Sequence, residues 1–241
     1  MSSKEICPTL HEKDPKFTYE KYVDSESRTN FAKFDRTSFS NEEIRFISSH
    51  FLSSRKVDKI FNENFLGLCQ GVRNGAEVRI FRKKISSNII GTDISPSILA
   101  VTNGVLMDFH DCPKLWSGRV NFLYSNSWDH SYNLEKCLFH WNSLLAADGY
   151  IYLQHTPNHY ADAGYTAPEL ADLLVGCGFE VMEIKSISKD SIVHLPAKIV
   201  PKIIGKLLNI SLPMLSPMDE TFVLAARQAQ VTKPDDRNKA Q

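Results

Sequence analysis

Leu68-Cys69-Gln70-Gly71-Val72-Arg73-Asn74-Gly75 is the stretch that decides the fold. A short apolar run beginning at Phe65 breaks here into a turn of small residues. A helical pattern follows over Ala76 to Lys84, and Asn88-Ile89-Ile90-Gly91-Thr92-Asp93 reads as a second strand closing on an isolated acid. Strand, tight turn, helix and strand make a βαβ unit. In such a unit glycine lets the backbone approach a ligand closely, and an acid about 20 residues beyond the turn can hold both ribose hydroxyls of a nucleoside. Gly71 and Asp93 lie 22 positions apart, so the segment predicts a site for a nucleoside-containing cofactor.

The alternation continues outward. A helix is expected from about Ser95 to Asn103, and Gly104-Val105-Leu106-Met107-Asp108 reads as a third strand ending on an acid. Val120 to Ser125 is a fourth strand and Tyr150 to Gln154 a fifth. Between them Leu134, Leu138, Trp141, Leu144 and Leu145 recur at helical spacing, with Asp148-Gly149 as the stop signal. Thr166, with Glu169 three residues on, caps a helix that runs to Val175. Phe179 to Ile184 and Thr221 to Ala226 supply the sixth and seventh strands. The predicted class is α/β: a Rossmann-like, doubly wound, mostly parallel seven-stranded sheet with helices on both faces.

Residues 1–55 read as an N-terminal polar segment and docking helix. Asn41-Glu42-Glu43 starts that helix, and Ile44, Ile47, Phe51 and Leu52 share one face. The preceding polar residues carry Phe17, Tyr19, Tyr22, Phe31 and Phe34, more aromatics than plain disorder would have. The main domain then spans 56–228, with an insertion at 187–218, and 229–241 is a polar tail.

Composition excludes several classes. The 28 basic residues balance the 28 acidic ones, so no overall field draws in nucleic acid or an anionic membrane, and no nucleic-acid partner is expected. Cysteines at 7, 69, 112, 137 and 177 are odd in number and contain no Cys-x-x-Cys pair. That argues against a disulfide framework or zinc cluster, and a reducing cytoplasm is the simplest home. The first twenty residues lack an apolar signal core, and no run reaches the ~18 apolar residues of a membrane span, so a soluble protein is expected.

Three strings carry a resemblance: Ile90-Gly91-Thr92-Asp93-Ile94-Ser95-Pro96, Leu106-Met107-Asp108-Phe109-His110-Asp111-Cys112-Pro113, and Leu144-Leu145-Ala146-Ala147-Asp148-Gly149-Tyr150 before a strand. With the order of elements, they resemble the class I S-adenosylmethionine-dependent methyltransferases, type 11-like, over roughly Phe65 to Glu183. The resemblance implies S-adenosylmethionine as cofactor. It places Cys69, Gly71 and Arg73 in the turn that cradles the amino-acid end, Asp93 on the ribose, Asp108 on the adenine amine, Ile94 and Phe109 beside the base, and Asn126 near the methyl group. The chain departs from the family in the first turn. Gly67 stands where an acid is usual, and Cys69 and Arg73 replace two of three alternating glycines, leaving Gly71 in place.

The same residues have physical uses apart from the family. An ionised carboxylate accepts two hydrogen bonds at once, which suits a vicinal diol, each contributing about 1.5–3 kcal/mol. Asp93 would serve equally as a cap before Ser95-Pro96, and Asp108 as a turn residue. Arg73 could pair with a cofactor carboxylate through its planar fork.

Methyl transfer demands alignment and, for a hydroxyl acceptor, removal of a proton. Candidate bases are His130, in the loop after the fourth strand, and His155 and His159, in the loop after the fifth, with Asp129 or Asp162 to orient them. Each histidine has a plain structural use as a cap or strand-end residue. The spacing of His155, His159 and Asp162 matches no zinc signature, so no metal is expected. In the insertion, Lys198, Lys202 and Lys206 would line one helical face. A lid, an interfacial membrane helix, a dimer contact and an irregular packed insertion all fit 187–218.

The reading is a methyltransferase acting on an oxygen or nitrogen of a small molecule or glycan. The rivals are an NAD(P)-dependent oxidoreductase, disfavoured by the lack of an intact Gly-x-Gly-x-x-Gly, and a non-catalytic methyltransferase-like binding protein.

Overall fold

Five of the seven described strands follow the βαβ pattern of the central sequence and pair in parallel. In the computed structural model, which describes residues 16–55, 64–156, 165–188 and 220–229, the strands are β1 Gly67–Gln70, β2 Ile89–Asp93, β3 Gly104–Leu106, β4 Val120–Ser125, β5 Leu145–His155, β6 Phe179–Ser188 and β7 Glu220–Gln228. Their order in the sheet is β3-β2-β1-β4-β5-β7-β6. All pairs are parallel except those of β7 with β5 and with β6. The strand order reverses beside β1, where β2 lies on one side and β4 on the other. In open α/β sheets that reversal opens a crevice at the carboxyl ends of the strands, where ligands bind.

Local chemistry sets the helix ends. Helix α1, Tyr19–Ala32, starts where the Thr18 hydroxyl accepts from the Lys21 N–H. Helix α2, Asn41–Ser53, starts with a capping box between Ser40 and Glu43, and α5, Ala167–Gly176, with one between Thr166 and Glu169. Asn133 caps α4, Leu134–Leu144. Helix α3, Ala76–Lys84, follows Gly75, whose φ of 67° brings the chain out of the first turn.

Two apolar cores cover the two faces of the sheet. One packs Leu138 and Trp141 of α4 and Leu170 and Leu174 of α5 against Leu123, Ile151 and Leu153. The other packs Ile47 and Phe51 of α2 and Val78 and Phe81 of α3 against Phe122 and Tyr152. Phe122 meets Phe81 at 5.0 Å and Phe51 at 5.2 Å between ring centroids. Each such aromatic contributes about 1.5–3 kcal/mol through burial.

The structure corrects several boundaries. The helix expected over Ser95 to Asn103 is one tight turn, Pro96–Ala100: Val101 is already extended and Asn103 takes a φ of 63°, which swings the chain into β3. Strand β3 stops at Leu106, and Asp108 sits in a turn closed by Asp111 N–H donating to its carbonyl at 3.1 Å. Asp148-Gly149 does not stop α4, because Leu145 is already extended and begins β5. The pair lies inside β5, where the register with β4 shifts and Asp148 meets Arg55 at 2.6 Å. Leu52 is 37% exposed rather than buried with Ile44, Ile47 and Phe51. Strand β6 runs through buried Ile187 to Ser188, so the inserted stretch begins after it. Lys198, Lys202, Lys206, the rest of the insertion and the polar tail after Ala229 lie outside the described residues. Among the described residues, no helix is long and apolar enough to cross a membrane.

Candidate functional site

The turn after β1 is held at the reversal point by its neighbours' backbone. The N–H groups of Gly71 and Val72 both donate to the Thr92 carbonyl, at 2.9 and 3.1 Å. The Ser127 hydroxyl, just past β4, donates to the Gly71 carbonyl at 3.0 Å. Gly71 has a φ of 72°, and a Cβ there would stand 2.7 Å from the Ser127 Cβ, so the position requires glycine twice over. Arg73 also takes a left-handed φ of 45°. Its strain is offset by its N–H, which donates to Asp93 Oδ2 at 2.8 Å.

Asp93 ends β2 directly beside this turn and is 2% exposed. Besides the Arg73 N–H, it accepts from the Ser95 N–H at 2.8 Å and from Asn30 Nδ2 at 2.9 Å. Burial raises its pKa, against the pull of these donors and of the Arg73 charge. Asp108 accepts from the Tyr19 hydroxyl at 3.0 Å and from His110, through its N–H at 2.8 Å and Nδ1 at 2.6 Å. Burial pushes the Asp108 carboxyl up, but the bonds and charge of His110 outweigh it and hold the group below its ordinary range. The imidazole of His110 is fixed in turn by Ser131 at 2.7 Å and by stacking on Tyr132 at 3.9 Å.

Helix α1 roofs the cleft. Tyr19, Tyr22, Glu26 and Asn30 fall on one helical face; the last three line the cleft and Tyr19 bonds Asp108 beside it. The Tyr22 hydroxyl donates to the His130 carbonyl at 3.0 Å, and Glu26 meets His130 Nδ1 at 3.2 Å. That hydrogen bond raises the His130 pKa against the effect of burial. With α1 seated, the space enclosed among Gly71, Asp93, Ile94, Phe109, Ser127 and the α1 side chains is about 20 Å³, room for roughly one water.

Of the residues singled out from sequence, Gly71, Arg73, Asp93, Ile94, Phe109 and His130 line this one cleft. Cys69 does not. Its side chain is fully buried in the core on the α2 and α3 side, where burial drives the thiol pKa well up. Asp108 lies behind Tyr19. Asn126 lines a smaller hollow on the far side of the turn. His155 is buried at the end of β5 beside the Trp128 ring, 5.4 Å away, and burial lowers its pKa. His159 and Asp162 lie outside the described residues. The sequence reading missed Glu26, Asn30, Ser127 and Glu77, and took Tyr19 and Tyr22 as scattered aromatics. The spacing 19, 22, 26, 30 after the capping residue Thr18 is the signal that would have found the roof.

No protein-family model and no curated protein matches the chain. Solved structures do. One is the complex between the Haloferax volcanii Trm112 methyltransferase activator and a protein assigned as a methyltransferase, with a TM-score of 0.60 and 16% identity over 90% of this chain and 100% of that one. Another is the Burkholderia thailandensis 1,6-didemethyltoxoflavin-N1-methyltransferase with bound S-adenosylhomocysteine, with a TM-score of 0.58 and 13% identity over 95% and 94%. The cyclase SpnF is similar at a TM-score of 0.54 and 11% identity over 81% and 84%. The likeness is one of fold.

Proposed function

From the fold of the class I S-adenosylmethionine-dependent methyltransferases, which this chain carries, we propose that it binds S-adenosylmethionine in the cleft beneath α1 and methylates an oxygen or nitrogen of a small molecule or glycan. A fold hosts many chemistries, as the cyclase neighbour illustrates, so the reading rests on the site. The observation that carries it is Asp93, a buried carboxylate at the tip of β2 facing the Gly71 turn at the reversal point of the sheet.

The side chains suit the cofactor, and α1 must lift to admit it, since with α1 seated the enclosed space holds about one water. Gly71 presents backbone without a side chain to the cleft, Asp93 would take the ribose hydroxyls, and Asp108 the adenine amine once the Tyr19 hydroxyl gives way. Ile94 and Phe109 supply apolar surface for the base. When bound, the sulfonium supplies an electrophilic methyl group. His130 would accept the proton from the acceptor, with Glu26 holding its ring and favouring its protonated form. Helix α1 encloses the site, which favours a compact acceptor over a bulky one. The described cysteines are free and buried, in keeping with a cytoplasmic location.

The nicotinamide alternative is less well supported. Dinucleotide-binding sheets run 3-2-1-4-5-6 throughout in parallel, whereas here antiparallel β7 lies between β5 and β6. Calorimetric titration with S-adenosylmethionine and with NAD tests the proposal. Saturable binding of the first alone is expected, and binding of NAD alone would overturn it.

A further inference from the structure

The first turn lacks the strand acid usual in this fold, and the structure leaves no room for one. A Cβ at Gly67 would stand 2.5 Å from Ile89 Cγ1. A different carboxylate lies on the opposite side of the same turn. Glu77, in the first turn of α3, is 5% exposed. Its Oε1 accepts from Asn126 Nδ2 at 3.2 Å, while its Oε2 is buried and has no hydrogen-bond partner among the described residues. A buried carboxylate oxygen without a donor is costly. It borders a hollow shared with Gly71, Arg73, Asn74, Asn126 and Ser127, and Gly71, Arg73 and Ser127 also line the nucleoside cleft. The two spaces therefore meet at the Gly71 turn.

The hollow is also lined by two arginines, Arg36 and Arg73. Among the described residues the Arg73 guanidinium is bonded to neutral oxygens, Asn30 Oδ1 at 3.3 Å and the Lys33 carbonyl at 3.4 Å. An acceptor for an ammonium group and a donor for a carboxylate thus line one hollow, the pairing that an α-amino acid zwitterion demands.

We infer that this hollow binds the α-amino acid portion of a nucleoside thioether, with Glu77 and not a strand residue receiving the ammonium group and Arg73 facing the carboxylate. The inference rests on the methyltransferase reading and assigns Glu77 a binding role that the fold's usual pattern gives to another position. Asn126 holds one oxygen of the Glu77 carboxylate and leaves Oε2 as the acceptor for an N–H donor.

Calorimetry with three probes separates this inference from the reading beneath it: S-adenosylhomocysteine, its analogue lacking the α-amino group, and 5′-methylthioadenosine, which keeps the nucleoside thioether and lacks the amino acid. The unaltered protein should bind S-adenosylhomocysteine at least 10-fold more tightly than either of the others. Glu77→Gln should weaken S-adenosylhomocysteine by about 10-fold and leave 5′-methylthioadenosine unchanged. If the unaltered protein binds S-adenosylhomocysteine and the deaminated analogue equally, the ammonium site is refuted while the nucleoside site stands. That arm needs no variant. If Glu77→Gln weakens both thioethers alike, or neither, the inference falls, and if the unaltered protein binds none of the three, the methyltransferase reading falls with it.

Discussion

Asn30 Nδ2 donates to Asp93 Oδ1 at 2.9 Å across 63 positions of sequence, so the helix over the cleft holds the carboxylate proposed for the ribose. A carboxylate offers about four acceptor sites, and Asp93 already fills three, with Asn30 and the Arg73 and Ser95 N–H groups. A vicinal diol needs two. The backbone donors are fixed by the turn, which leaves Asn30 as the group that must yield. Asn30→Ala should therefore speed association of S-adenosylhomocysteine by about 5-fold, the equivalent of one ordinary hydrogen bond of ~1 kcal/mol. Stopped-flow fluorescence measures this, and an unchanged rate would mean that Asn30 stays in place on binding.

Asp93→Ala is a poor probe, because the carboxylate also holds the Arg73 and Ser95 N–H groups and its loss should destabilise the turn by about 1–3 kcal/mol. Asp93→Asn keeps an acceptor oxygen and removes the charge. Its amide nitrogen must face one of the two backbone N–H donors, so its melting temperature should fall, though less than that of Asp93→Ala, while affinity for S-adenosylmethionine falls about 10-fold or more. Full affinity in the folded variant would remove Asp93 from the site.

The Glu26 contact raises the pKa of His130. As a base, His130 works only when deprotonated, so the ascending limb of the pH–rate profile should follow that pKa. Glu26→Gln removes the carboxylate charge and should move the limb to lower pH. A profile that stays in place excludes His130 as the group that takes the proton.

Burial pushes the Glu77 pKa from an ordinary 4.5 up to about 7. The folded state then holds this proton more tightly than the unfolded chain, so the stability it lends is full below 4.5 and lost as pH rises through 7. Replacement by glutamine removes that dependence. Relative to Glu77→Gln, the unaltered protein should lose on the order of 3 kcal/mol of unfolding free energy between pH 4.5 and pH 8. Urea titrations of both proteins across that range give the difference, and parallel curves would show that Glu77 is not buried as a neutral acid.

What the sequence made legible was whatever rests on short-range chemistry. Capping at Thr166, the period of α4 and the alternation around Gly71 and Asp93 are properties of adjacent residues, and they appear in the structure at or near their expected places. The roof was not legible, because Asn30 and Glu26 acquire meaning only from Asp93 and His130, which lie 63 and 104 positions on. Cys69 was misplaced for a related reason. A period-two strand says which residues share a face but not which face meets the ligand, and Cys69 faces the core.

Helix α1 has a kinetic consequence. Asn30 and Glu26 stand one helical turn apart, one on Asp93 and the other on His130, so displacement of Asn30 by a ribose is felt at the histidine. Under the proposed function, occupancy by the first ligand would then reset the hydrogen-bonding of the group that would serve the second. Steady-state patterns should accordingly be those of compulsory-order binding, with cofactor first and acceptor second, and a dead-end acceptor analogue should inhibit uncompetitively against S-adenosylmethionine.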